Sequence, residues 1–169
     1  LSAYLDYNLN VDAQPLTLEQ AYQLLTVVFG DTDASGEDLK HTYELVQEIC
    51  RHDIQKIMVA GQGQPSLIHF LALVGKEVTF VDYSQNIVLA SHTLNQDKIN
   101  QVLMQEGSEH QNNITFIHSE IGSLNLDVHN LTPHSYDLIT FIDFVGGCAY
   151  GGARKWLVTS QRVLKEDRA

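Results

Sequence analysis

From residue 56 onward, short apolar runs alternate with longer stretches whose apolar positions recur every three or four residues. The runs are Lys56-Ile-Met-Val-Ala60, Glu77-Val-Thr-Phe-Val81, Ile114-Thr-Phe-Ile117 and Leu138-Ile-Thr-Phe-Ile142. Helical spacing fills 66–75, 85–105 and 152–165. Strands that are apolar on both faces and separated by helices predict parallel pairing through crossovers, in a βαβαβ arrangement. Before residue 56 the period is helical. Thr17-Leu-Glu-Gln20 has the spacing of a capping box. Leu18, Ala21, Leu24, Leu25 and Val28 then follow at helical intervals until Gly30. After the polar turn at 31–36, Ser35 is expected to begin a second helix carrying Leu39, Tyr43, Val46, Ile49 and Cys50 on one side. The expected organisation is a helical lead-in, 1–54, belonging to the same domain as an α/β core, 55–169.

Length and composition agree with one ordinary folded domain: 169 residues, 44% hydrophobic and 18% charged, with no repeat or low-complexity tract. No apolar run approaches the roughly 20 residues that span a bilayer, and the first residues do not read as a secretion signal. Two cysteines, Cys50 and Cys148, make no disulfide framework, which points to a reducing, cytoplasmic setting. Ten Lys and Arg against 21 Asp and Glu give a formal charge of −11, which disfavours general binding to a phosphate backbone. A chain that begins at Leu1 and stops at Arg168-Ala169, directly after a helical pattern, reads as a piece of a longer polypeptide. The apolar fourth strand would then be an edge open to pairing with a further segment or another chain.

The chemistry concentrates after the first strand, in Gly61-Gln-Gly-Gln-Pro-Ser66. Gly61 and Gly63 permit a tight turn and close backbone approach to a ligand. The helix that follows offers free N–H groups suited to a carboxylate or phosphate. Asp82 ends the second apolar run 19 positions after Gly63, where a carboxylate can accept from both ribose hydroxyls of a nucleoside. The bland alternative is a tight turn followed by a helix-capping acid. The same loop reads equally as a dinucleotide fingerprint with Ser66 in place of the last glycine.

Residues 56–165 resemble the class I S-adenosylmethionine-dependent methyltransferases, with the motifs in that family's order. Val59-Ala-Gly-Gln-Gly-Gln-Pro65 looks like the glycine-rich first motif, and Phe80-Val-Asp-Tyr-Ser84 like the second strand with its ribose-binding acid. Thr115-Phe-Ile-His-Ser-Glu120 is similar to the third strand and its exit. Tyr136-Asp-Leu-Ile-Thr-Phe-Ile-Asp143 is similar to the fourth strand, and Gln161-Arg-Val-Leu-Lys165 to the helix after it. The resemblance implies a Rossmann-like α/β fold, a parallel sheet with flanking helices that lacks its last strands here. It implies S-adenosylmethionine as cofactor, a small-molecule or protein methyl acceptor, and a cofactor site of Gly61, Gln62, Gly63, Asp82, Tyr83, Glu120, Ile121 and Asp143. Asp82 would hold the ribose diol and Tyr83 the adenine face. Glu120 and the Ile121 amide would meet the adenine edge, and Asp143 would lie near the methyl group. Asp143 or His118 would serve as base if the acceptor requires one. Val59 stands where the family often carries an acid, and Pro65 where it carries a third glycine. These departures suit a second reading, a non-catalytic interaction module of a larger protein. A nicotinamide-dependent oxidoreductase is the third.

Other clusters carry less. Asp31-x-Asp33-x-Ser35-Gly36 matches half of a calcium loop, but the twelfth position is Thr42 rather than Glu, so a solvated turn is the simpler reading. The eight histidines match no zinc spacing, and no metal site is expected. His69 falls among Leu and Ile on a helix and reads as a core residue. The Gly146-Gly-Cys-Ala-Tyr-Gly-Gly152 stretch, which contains Tyr150 and is followed by Arg154 and Trp156, is placed to border an acceptor.

Overall fold

The structure, a computed structural model, describes residues 15–32, 38–60, 65–82, 95, 97–102, 114–119, 124–141 and 160–166. Two helices lead. Helix α1 (Leu18–Phe29) starts on the capping box: Gln20 N donates to Thr17 Oγ1 at 3.2 Å and Thr17 N to Gln20 Oε1 at 3.0 Å. It ends at Gly30, whose positive φ of 77° is open to glycine and strained for residues with a Cβ. Helix α2 (Leu39–Cys50) begins later than the expected start at Ser35, which lies outside the described residues. Asp38 is the N-cap, its Oδ1 accepting from Lys40 N at 2.8 Å. An antiparallel bridge from Thr32 to Asp38 and the bond from Leu39 N to Asp31 O hold Asp38, whose own backbone is extended, ahead of the helix.

Strand β1 (Lys56–Ala60), helix α3 (Pro65–Leu73), strand β2 (Glu77–Asp82), strand β3 (Ile114–His118) and strand β4 (Leu138–Phe141) follow. Residues 97–102 between β2 and β3 and 160–163 after β4 are helical, within the expected stretches. The sheet order is β3-β2-β1-β4 and every pairing is parallel. The chain therefore builds outward from β1 to β3, then returns to place β4 on the other side of β1. Ala60 pairs in register with both Val81 and Phe141, so the carboxyl ends of β1 and β4 are neighbours at the point where strand order reverses.

Alternation along the strands divides the core. On one face Ile57, Val59, Val78, Phe80 and Ile114 join Leu25, Val46, Phe70 and Ile99 in a single buried cluster with the three helices. Tyr22 of α1 meets Tyr43 of α2 edge-on at 4.9 Å, and Tyr43 lies 6.1 Å from Phe70 of α3. On the other face Met58, Ala60, Val81 and Ile117 pack with Leu124, Leu126, Tyr136 and Val163. The turn between α3 and β2 needs Gly75: its φ is 93°, and an added Cβ would come within 3.0 Å of Pro15.

The start of β4 is fastened from several directions. Asp137, whose side chain is 2% exposed, accepts from Gln55 N at 2.8 Å and Lys56 N at 2.9 Å through Oδ2, and pairs with Lys165 Nζ at 2.6 Å through Oδ1. On the edge away from β1, Leu164 bridges Tyr136 in parallel, with Lys165 N donating to Tyr136 O at 2.9 Å. Tyr136 is fully buried, its hydroxyl 2.6 Å from Thr79 Oγ1 and its ring 4.7 Å from Lys56 Nζ.

Burial pushes the Tyr136 phenol above its ordinary pKa, against a smaller lowering by the Thr79 bond. An unfolded tyrosine ionises near pH 10, so above that pH the unfolded state holds fewer protons than the folded one and stability falls as pH rises. Tyr43, raised by its hydrogen bond to Glu19, adds to the same alkaline limb. Urea midpoints measured from about pH 9 to 11 are expected to decline, and to decline less steeply in Tyr136→Phe. Equal slopes in the two proteins would contradict this.

Candidate cofactor site

The carboxyl ends of parallel strands are where ligands bind in open α/β sheets, because loops and helix N-termini converge there. In this chain β1 delivers its exit beside that of β4, and segment 61–64 connects Ala60 to the start of α3. Pro65 is the first residue of α3, where the missing N–H removes a bond the helix would not have made.

One strand over, Asp82 is the last residue of β2 and is 2% exposed. It pairs in register with His118, the last residue of β3. Ser119 N donates to Asp82 O at 2.9 Å, which carries the ladder one bond past the strand. Phe80 and Phe116, one rung earlier on the same face, have ring centroids 5.5 Å apart. Asp82 and His118 are thus brought together as neighbours at the end of that aromatic pair, Asp82 buried and His118 exposed. A buried carboxylate is costly unless something polar or positive meets it. At the end of β2, two nucleoside hydroxyls would serve as well as protein donors.

Of the other expected site residues, Gly61, Gln62, Gly63, Tyr83, Glu120, Ile121 and Asp143 lie outside the described residues. Their neighbours in sequence are placed: Ala60 and Pro65 flank segment 61–64, Asp82 precedes Tyr83, Ser119 precedes Glu120, and Phe141 stands two positions before Asp143. Cys148, Tyr150, Arg154 and Trp156 are also outside them. His69 is buried on α3 as expected of a core residue. His134 sits away from the site, before the start of β4, with Nδ1 3.0 Å from Leu164 O.

The site's support includes a pair that sequence reasoning did not single out. Thr42, in the first turn of α2, and Ser66, in the first turn of α3, are both buried, with their hydroxyl oxygens 3.3 Å apart. Thr42 shares the helical stripe of Leu39, Val46 and Ile49, all buried. A hydroxyl on an otherwise apolar stripe was the available signal.

No family model matches the sequence, and no curated protein matches it. Among solved structures, a candidate S-adenosyl-L-methionine-dependent methyltransferase of Methanococcus maripaludis is similar at a TM-score of 0.50 and 13% identity, covering 88% of this chain and 57% of its own. A SAM-dependent methyltransferase of Geobacter sulfurreducens, solved with S-adenosyl-L-homocysteine, is similar at 0.46 and 12%, covering 83% of this chain and 51% of its own. The chain spans little more than half the length of either. At such identity the likeness is one of fold, and together with the parallel β3-β2-β1-β4 sheet it makes this a Rossmann-like α/β fold of the kind methyltransferases use.

Proposed function

We propose that this chain is the S-adenosylmethionine-binding part of a methyltransferase. The observation that carries the reading is the position of Asp82: a buried acid ending the strand next to β1, in a sheet whose order reverses at the exit of β1. The buried carboxylate of Asp82 at the end of β2 supports this reading. In this reading Asp82 accepts from the ribose hydroxyls, the backbone of Gly61, Gln62 and Gly63 lies along the methionine part, and Tyr83, Glu120 and Ile121 hold the adenine. Asp143 lies toward the acceptor, and Asp143 or His118 takes the acceptor's proton where there is one to take. When bound, the cofactor supplies a sulfonium methyl group open to in-line attack. The chain's own task is to hold the two reactants in line, where positioning alone accounts for much of the rate. The acceptor is a small molecule or a protein, and the setting is cytoplasmic. Residues 1–54 act as part of the same domain, and the bridge at Tyr136 and Leu164 supports the addition of a further strand along the outer edge of β4.

One observation favours a second reading, a binding module without turnover. Val59, where the resemblance expects an acid, is fully buried among the apolar side chains of the first core cluster. Calorimetric titration of the chain with S-adenosylmethionine and S-adenosylhomocysteine, with NAD and NADP in parallel, separates the possibilities. Saturable heat with the two sulfur nucleosides alone is expected. Heat only with the nicotinamide dinucleotides would replace this reading by that of an oxidoreductase. Heat with none would leave the interaction module.

A further inference from the structure

We infer that Thr42 is a positioning residue for the cofactor site, holding the start of α3, directly after segment 61–64, from the lead-in helices. This rests on the cofactor reading above. Segment 61–64 is preceded by β1, where Ala60 is paired on both sides, and followed by the first turn of α3. The first end is fixed by the sheet. The second is a helix terminus, which the sheet does not hold by hydrogen bonds, and helix termini fray unless something fastens them.

Ser66 is where α3 is fastened. It is fully buried, and its Oγ lies 3.3 Å from Thr42 Oγ1, a residue 1% exposed on α2. Thr42 Oγ1 is also 3.5 Å from Asp38 O, one turn earlier in its own helix. A direction that uses both contacts runs from the Ser66 hydroxyl to Thr42 oxygen, and from the Thr42 hydroxyl to the Asp38 carbonyl. Asp38 is in turn set by its cap on Lys40 N and its bridge to Thr32. The first turn of α3 is therefore joined to the N-cap of α2 through two hydroxyl groups. Packing alone does not call for a hydroxyl here: valine has the shape of threonine and would complete the stripe of Leu39, Val46 and Ile49.

The test compares wild type with Thr42→Val, Thr42→Ser and Thr79→Val. The last removes an equally buried hydroxyl, the partner of Tyr136, from the middle of β2. Amide hydrogen exchange is read on peptides covering 60–68 without ligand, and S-adenosylhomocysteine affinity by calorimetry. Thr42→Val is expected to exchange faster in those peptides and to bind roughly 2- to 12-fold more weakly, the worth of one neutral hydrogen bond. Thr42→Ser should restore both. Thr79→Val should lower the melting temperature without changing either. Wild-type exchange and affinity in Thr42→Val would overturn the inference while leaving the cofactor reading intact. Absence of S-adenosylhomocysteine binding by the wild type would remove the cofactor reading, and the inference with it. If Thr42→Val does not fold, Ser66→Ala interrogates the same contact from the α3 side, and the same outcomes apply.

Discussion

Replacing Asp137 by alanine is expected to cost the fold about 3–5 kcal/mol, the usual penalty for removing one partner of a buried ionic group. The carboxylate serves three donors at once. Gln55 N and Lys56 N meet Oδ2, and Lys165 Nζ meets Oδ1. Removing it leaves the two N–H groups that open β1 without that acceptor and loosens the segment that bridges the outer edge of β4. The cost does not come mainly from the lysine, which is 44% exposed and can turn to water. Lys165→Met should therefore cost about 1 kcal/mol or less, as exposed ion pairs generally do. Asp137→Asn, which keeps one acceptor oxygen, should fall between them. Urea denaturation is the measurement: with slopes of about 1–3 kcal/mol/M, Asp137→Ala should move the midpoint by at least about 1 M at unchanged slope. A loss under 1 kcal/mol would show that water replaces the carboxylate at little cost.

That example also shows why some of the molecule was legible in the sequence and some was not. The four strands begin at the residues where the apolar runs begin, most plainly in β1 and β2, where burial on both faces leaves a local signature. The capping box at Thr17 and the stop at Gly30 are also local, requiring only residues within one turn of each other. The start of α2 was misplaced because Ser35 and Asp38 are both good caps. What chose Asp38 was a bridge back to Thr32, which is not visible in propensity. The network at Asp137 joins residues 81 and 82 positions apart and exists only once β4 lies beside β1. The Thr42–Ser66 contact likewise depends on how α2 docks against α3. Asp82 was recognisable because its place follows from strand order and spacing. Its burial and its pairing with His118 followed only from the sheet register.

Asp82→Asn is expected to weaken S-adenosylhomocysteine binding by roughly 10- to 150-fold, the worth of one hydrogen bond to a charged group. The reasoning turns on what asparagine keeps. Its carbonyl can still accept from one ribose hydroxyl, while its amide presents a donor where the second hydroxyl would have given its hydrogen to a carboxylate oxygen. Asp82→Ala, losing both acceptors, should bind more weakly still. Stability distinguishes this from a structural role. The side chain ends its strand rather than sitting mid-ladder, and the bond from Ser119 N goes to its backbone oxygen, which substitution does not remove. Asparagine keeps the size of the side chain and one acceptor oxygen at this 2% exposed position. Asp82→Asn should therefore melt within a few degrees of wild type while its affinity falls. The opposite pattern, a large drop in melting temperature with affinity unchanged, would make Asp82 a structural acid. The nucleoside would then have to be held by residues other than the one on which the cofactor reading depends.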